Sequence, residues 1–142
     1  MPKSNIYLVP IDFSGGAERA LDYALMLARE NNGKVVALHV VPAAKVYPPI
    51  GKALDFCTLL ETDARKNLRR LAKRKRLEPK NCEFVLARGM NFAEIIVRQA
   101  KKMRVKMIVM GSHGRTGLQR FLLGSVAERT LRYADCPVLI VK

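Results

Sequence analysis

Acidic residues are scarce in this 142-residue chain: 12 Asp and Glu stand against 26 Lys and Arg, a formal net charge of +14. An imbalance of that size attracts polyanions through counterion release whatever the fold, without saying which polyanion. Cysteine and histidine are scarce as well. Cys57, Cys82 and Cys136 are odd in number and widely spaced, with no Cys-x-x-Cys pair and only His39 and His113 to help them. That pattern suggests neither a zinc cage nor a disulfide framework, and the thiols read as reduced and structural. No apolar run approaches the ~20 residues a membrane helix needs, so no membrane insertion is expected. Residues Met1 to Pro10 hold no long apolar segment and no small-residue cleavage site. No signal peptide is therefore read, and a cytoplasmic location is expected. Two familiar phosphate-binding signatures are also missing, since neither the P-loop pattern nor Gly-x-Gly-x-x-Gly occurs.

What is present is a globular pattern. With 49% apolar and 27% charged residues, the chain has the composition of an ordered domain. Its length suits a single domain over 1–142, able to bury about two-thirds of the surface its unfolded form exposes. Apolar runs at Ile6–Ile11, Lys34–Val41, Asn81–Ala87, Lys106–Met110 and Pro137–Lys142 read as strands. Between them lie helical periodicities. One opens at Ser14-Gly15-Gly16 and stops at Asn31-Asn32-Gly33, and another runs from about Ala53 to Leu77 with Leu60, Ala64, Leu68 and Leu71 on one stripe. A third starts at Asn91 with Glu94 three residues on, and the last starts at Ser125 with Glu128 three residues on, each spaced as a capping box. Strands alternating with helices throughout predict an α/β fold, a doubly wound five-stranded parallel sheet covered on both faces.

The chain is organised around the stretch from Gly111 to Glu128. A buried strand runs into a glycine-spaced loop holding Gly111, Gly114, Gly117 and Gly124, and the loop runs into a helix N-terminus. Such a terminus carries about half a positive charge and amides without an intrahelical partner, and glycine lets a backbone approach an anion closely. Arg115 and Arg120 add full charges. Two readings stand side by side here: a phosphate-binding loop, or a strand-to-helix turn that binds nothing. Position favours a ligand. In open parallel sheets ligands sit at the carboxyl ends of the strands where the winding reverses, and for the order 3-2-1-4-5 that crevice lies between the first and fourth strands. Asp12 ends the first strand and Gly111 ends the fourth.

The same residues give the chain its resemblance to universal stress protein domains. It spans nearly the whole length, from Val9-Pro10-Ile11-Asp12 through Leu38-His39-Val40 to Cys136-Pro-Val-Leu-Ile-Val141. The nucleotide-binding branch of that family is marked by Gly, two residues, Gly, nine residues, and Gly-Ser or Gly-Thr. Gly111, Gly114, Gly124 and Ser125 satisfy that spacing. The resemblance implies the adenine-nucleotide alpha-hydrolase-like fold with strand order 3-2-1-4-5, and a site for ATP with Mg²⁺ or Mn²⁺ on its phosphates. In that site Asp12, with Pro10 beside it, meets the ribose or the adenine edge, the backbone at Val40 faces the adenine, and Met110 and Gly111 line base and ribose. Gly114, Gly124, Ser125 and Val126 supply amides and a hydroxyl to the phosphates, with Arg115 as an added contact. The resemblance also implies a homodimer through Val138–Val141, an apolar edge in a monomer.

Each assignment has a plainer counterpart. Asp12 also suits a helix cap, His39 suits a packed core position, His113 suits a backbone turn, and Pro42 to Lys52 reads either as a lid or as a simple connection. The basic run Arg65–Arg76 reads as a solvated helix face or as a docking patch for a polyanion or an acidic protein; no aromatics are interleaved to stack on bases. Three functions follow: a nucleotide-dependent regulatory dimer in a stress response, a slow ATPase or phosphotransferase, and a polyanion-binding adaptor. Phosphoryl transfer needs a positioned base or water-orienting group, and the loop offers no carboxylate, so no catalytic residue is assigned and at most slow hydrolysis is expected.

Overall fold

The computed structural model of the chain describes residues 4–43, 51–113 and 122–142, with the side chains of 51–56 outside that description. In chain order it contains β1 (Ile6–Pro10), α1 (Gly15–Glu30), β2 (Lys34–Val41), α2 (Gly51–Arg74), β3 (Cys82–Arg88), α3 (Phe92–Met103), β4 (Met107–Gly111), α4 (Ser125–Tyr133) and β5 (Val138–Val141). The strands form one parallel sheet in the order β3-β2-β1-β4-β5. Alternation and order both agree with the sequence reading.

The sheet has a core on each face, which is why its inner strands read as continuous apolar runs. Successive side chains of a strand point to opposite faces. Tyr7, Val9, Val35 and Val109 therefore join Ala17, Leu21 and Ala24 of α1 and Leu71 of α2 in one cluster. Leu8, Val36, Leu38 and Ile108 join Ile96 and Ala100 of α3 and Ala127 of α4 in the other. The expected stripe of α2 is present, with Ala64, Leu68 and Leu71 buried.

Local chemistry fixes the helix ends. Ser14 caps α1, its hydroxyl accepting from the Ala17 amide at 3.2 Å. Asn91 caps α3 by accepting from the Glu94 amide at 3.2 Å. After α1, Asn32 takes the left-handed conformation anticipated for that stop, and Arg104 does the same after α3. The capping box expected at α4 is corrected. The N-cap is Gly124, in extended backbone with no side-chain cap, and Ser125 is the first helical residue. Glu128 does not reach back; it pairs with Arg132 one turn on, at 2.9 Å. Glycine has no side chain to announce a cap, so the nearest hydroxyl took the role in the sequence reading.

The edges and the basic helix also bear on function. β5 is an edge strand whose four residues are all half-buried, their side chains divided between the two cores. In α2 the basic run is not uniformly solvated. Arg74 grips Glu18 of α1 through two hydrogen bonds of 2.8 and 2.6 Å, and Lys75 just beyond α2 holds Asp22 at 2.8 Å. Arg65 pairs with Glu61, which also meets Arg88 at the end of β3.

Candidate functional site

At the carboxyl ends of β1 and β4 the chain leaves a cavity of about 320 Å³. That is the lower end of the range for small-molecule sites. Of the residues expected there, Pro10, Asp12, Val40, Met110, Gly111, Gly124, Ser125 and Val126 all line it. Gly114, Arg115, Arg120 and residues 44–50 of the Pro42–Lys52 segment lie outside the described residues.

The walls are mainly apolar. Ile11 and Leu38 come from the β1 and β2 side, Met110 from β4, Phe92 and Ile96 from α3, and Val126 and Ala127 from α4. Such walls suit a flat apolar body such as a nucleobase. Five of these, Ile11, Leu38, Phe92, Ile96 and Ala127, are not among the residues expected at the site. Their helical and strand spacing gave no hint that they stop short of full coverage at one end.

Two strand-to-helix junctions border the cavity. The first, between β1 and α1, is closed by its own side chains. Asp12 Oδ1 accepts from the Ser14 amide at 3.0 Å and from the Ser14 hydroxyl at 2.5 Å. Phe13 between them adopts φ 65°, a left-handed conformation costly for a bulky residue and held here by that turn. The Phe13 ring packs on His39 at 4.8 Å. His39 Nδ1 in turn lies 2.6 Å from the Ile11 carbonyl. A carbonyl only accepts, so Nδ1 carries the proton. His39 is thus half-buried at the cavity wall, not packed away in the core. Asp12 does not cap α1, a role that Ser14 takes; its carboxylate instead ties the turn through Ser14 while still lining the cavity.

The second junction, from β4 to α4, ends in a helix start whose cap residue offers no side chain. Gly124 is buried, and its amide donates to the Ser112 carbonyl at 2.7 Å, so the two ends of the connection are drawn together. The expectation that the Gly124 amide reaches a phosphate is corrected: that donor is already engaged by protein. The amides of Ser125 and Val126 in the first turn have no acceptor inside the helix. The Ser125 side chain is exposed and spends nothing on capping. Ser112 and His113, also on the cavity wall, bond to each other at 2.9 Å.

Gly111 has a steric role that spacing could not reveal. A Cβ there would sit 2.9 Å from the backbone carbon and oxygen of Gly16, and one on Gly16 would sit 3.0 Å from the His113 oxygen. The end of β4 and the start of α1 are in backbone contact, and only glycine permits it. That contact sets both helix N-termini against one cavity. Beside it, the guanidinium of exposed Arg19 lies over Gly15 and Gly16, 3.4 and 3.8 Å from where their Cβ atoms would be. Nothing in the sequence marks this cation, because it sits inside the helix period of α1 and not in the loop.

Charge on the cavity wall is sparse. Asp12 is the one carboxylate among the described lining residues. No group of three or more His, Cys, Asp or Glu able to hold a metal occurs among the described residues. A divalent cation in this cavity would depend on oxygens brought by a phosphorylated ligand, as Mg²⁺ commonly does. No helix among the described residues is long and apolar enough to cross a membrane.

Comparison with known proteins gives the chain relatives in sequence and in fold. The family model described as Universal stress protein family matches residues 5–142. A universal stress protein of Methanocaldococcus jannaschii, MJ0531, is 34% identical over 143 residues, covering 97% of this chain and 84% of the relative. The universal stress protein UspA of Lactobacillus plantarum superposes with a TM-score of 0.84 over 100% of both chains, at 21% identity, a likeness of fold. A universal stress protein of Archaeoglobus fulgidus, solved in complex with dAMP, superposes with a TM-score of 0.69 over 100% of both chains at 26% identity.

Proposed function

The chain belongs to the universal stress protein family, and from that premise we propose that it binds ATP at the β1/β4 crevice and acts as a nucleotide-dependent regulatory dimer in a stress response. The observation that carries this reading is the pairing of an apolar cleft with an uncapped helix terminus. The base is placed among Ile11, Leu38, Val40 and Met110, and the phosphates at the Ser125 and Val126 amides and the Ser125 hydroxyl. Gly114 and Arg115 complete the phosphate end, and Asp12 with Pro10 meets the sugar. Mg²⁺ or Mn²⁺ enters on the phosphates. The dAMP held by the Archaeoglobus fulgidus relative supports an adenine nucleotide.

Turnover is not part of the proposal. Hydrolysis needs a group to orient water or take its proton. The one carboxylate on the described cavity wall, Asp12, has an oxygen occupied by both donors of Ser14 and stands at the sugar end of the placement. The protein therefore acts by occupancy. Dimerisation is placed at β5, whose outer edge offers unpaired backbone groups for a second copy. Denaturing the purified protein and identifying the released small molecules tests the ligand: an adenine nucleotide in near-stoichiometric amount is expected. Multiple-turnover phosphate release that persists through exhaustive purification would instead favour an ATPase. Light scattering, giving twice the monomer mass for the native chain and the monomer mass for Leu139→Lys, checks the dimer.

A further inference from the structure

The cations of α2 divide into two sets. Arg65, Arg74 and the adjoining Lys75 are held by Glu61, Glu18 and Asp22. Lys66, Arg69, Arg70 and Lys73 have no ion pair among the described residues and are exposed. At 3.6 residues per turn these four fall within an arc of about 100° on the helix surface, roughly opposite the buried Ala64, Leu68 and Leu71. Asp63 is the one carboxylate near that arc on the described part of α2, one turn before Lys66. The result is a straight cationic stripe, backed by a helix that the core holds rigid.

The chemistry of this stripe narrows its partner. A helix that settles on a lipid surface needs an apolar face to insert. Here the leucine stripe is committed to the core, and Leu59 is the one large apolar side chain exposed on the described part of α2. Single-stranded nucleic acid is gripped by aromatic stacking, and 65–76 contains no aromatic residue. An acidic protein surface carries no fixed repeat of anions to match a straight stripe, whereas a phosphate backbone does. The stripe from Lys66 to Lys73 extends ~10 Å along the axis at 1.5 Å per residue. A duplex presents about six phosphate charges over that length. Two arginines supply forked donors matched to phosphate oxygens, and two lysines supply compact charge. We propose that the outer face of α2 docks on the backbone of double-stranded nucleic acid, without sequence preference, through Lys66, Arg69, Arg70 and Lys73. No described residue of α2 lines the β1/β4 cavity, so the docking surface is separate from the nucleotide site and does not depend on it.

The test is fluorescence anisotropy of the native protein with a short labelled duplex over a salt series. Four phosphate contacts predict a slope of log K against log salt of about −3.6. Replacing the four residues by glutamine is expected to weaken binding about tenfold or more at moderate salt and to flatten the slope. A control with Arg98, Lys101, Lys102 and Arg132 changed to glutamine loses the same charge from α3 and α4, and is expected to leave affinity near the native value. Two half-variants, Lys66 with Arg69 and Arg70 with Lys73, are each expected to remove about half the slope; they keep the test decisive if the fourfold variant fails to fold. The proposal is overturned by an equal loss in the control, by no salt-dependent binding in the folded native protein, or by tighter binding to a single strand or to phosphatidylserine vesicles that the α2 variant abolishes.

Discussion

The two junctions at the mouth of the cavity solve the same geometric problem in opposite ways. Both carry the chain from the carboxyl end of a central strand into a helix. Between β1 and α1 the turn satisfies itself: Asp12 is bonded by Ser14, Ser14 caps the helix, and Phe13 holds a left-handed backbone against His39. Between β4 and α4 the cap is a glycine with no side chain to serve the first turn, and its amide ties the connection back to Ser112. A helix terminus occupied by its own protein is architecture. One whose cap has no side chain, beside an apolar cleft, suits an anion, and the proposed function accordingly gives structural work to α1 and ligand work to α4.

The comparison breaks most severely at the point where the junctions touch. Gly111→Ala places a Cβ 2.9 Å from the backbone of Gly16, with no flexible side chain there to yield. A loss of about 1–3 kcal/mol in stability is expected, measured by urea denaturation, together with weakened nucleotide binding because both helix ends shift. Next come the two serines. Ser14→Ala removes a cap and a partner of Asp12, and should cost about 1 kcal/mol of stability while changing nucleotide affinity far less. Ser125→Ala should do the reverse, leaving the melting temperature within about a degree or two and reducing affinity several-fold, since its hydroxyl caps nothing. Equal stability losses in the two serine variants would erase the distinction drawn between the junctions.

Two smaller effects sharpen it. Thr130 of α4 is fully buried and its hydroxyl has no hydrogen-bond partner among the described residues. Thr130→Val keeps the shape and removes an unsatisfied group, so stability should hold or rise by up to about 1 kcal/mol, with nucleotide affinity unchanged. On the α1 side, Arg74 and then Lys75 hold the Glu18 carboxyl below the usual glutamate range against the opposing pull of partial burial. A depressed folded pKa contributes stability above the ordinary glutamate range, and that contribution is lost as pH falls through the depressed value. Native protein should therefore lose slightly more stability than Glu18→Gln between neutral and acid pH. The difference is small because Arg74 is largely solvated.

The sequence carried the fold well, because each of its signals was local and repeated. Continuous apolar strands implied burial on both faces, and Ser14 and Asn91 announced their helices with side chains that do cap them. Legibility fell where function depends on backbone. Ser125 looked like a cap because a hydroxyl is visible in a sequence and the extended backbone of Gly124 is not. The glycine spacing singles out the connection between β4 and α4, yet it does not show that one amide is tied to Ser112 or that Gly111 is small for the sake of Gly16. The basic helix reads as one charged run, whereas Glu18 and Asp22 on α1 and Glu61 on α2 itself pair with part of it and leave a stripe of cations without an ion pair among the described residues.

Isothermal titration of the folded, nucleotide-stripped protein with ATP and Mg²⁺ tests the central claim most directly. A saturable heat at one nucleotide per chain, weakened by Ser125→Ala and little changed by Ser14→Ala, is the predicted result. Absence of any saturable heat at high protein concentration, or a loss of affinity in Ser14→Ala with none in Ser125→Ala, would contradict it.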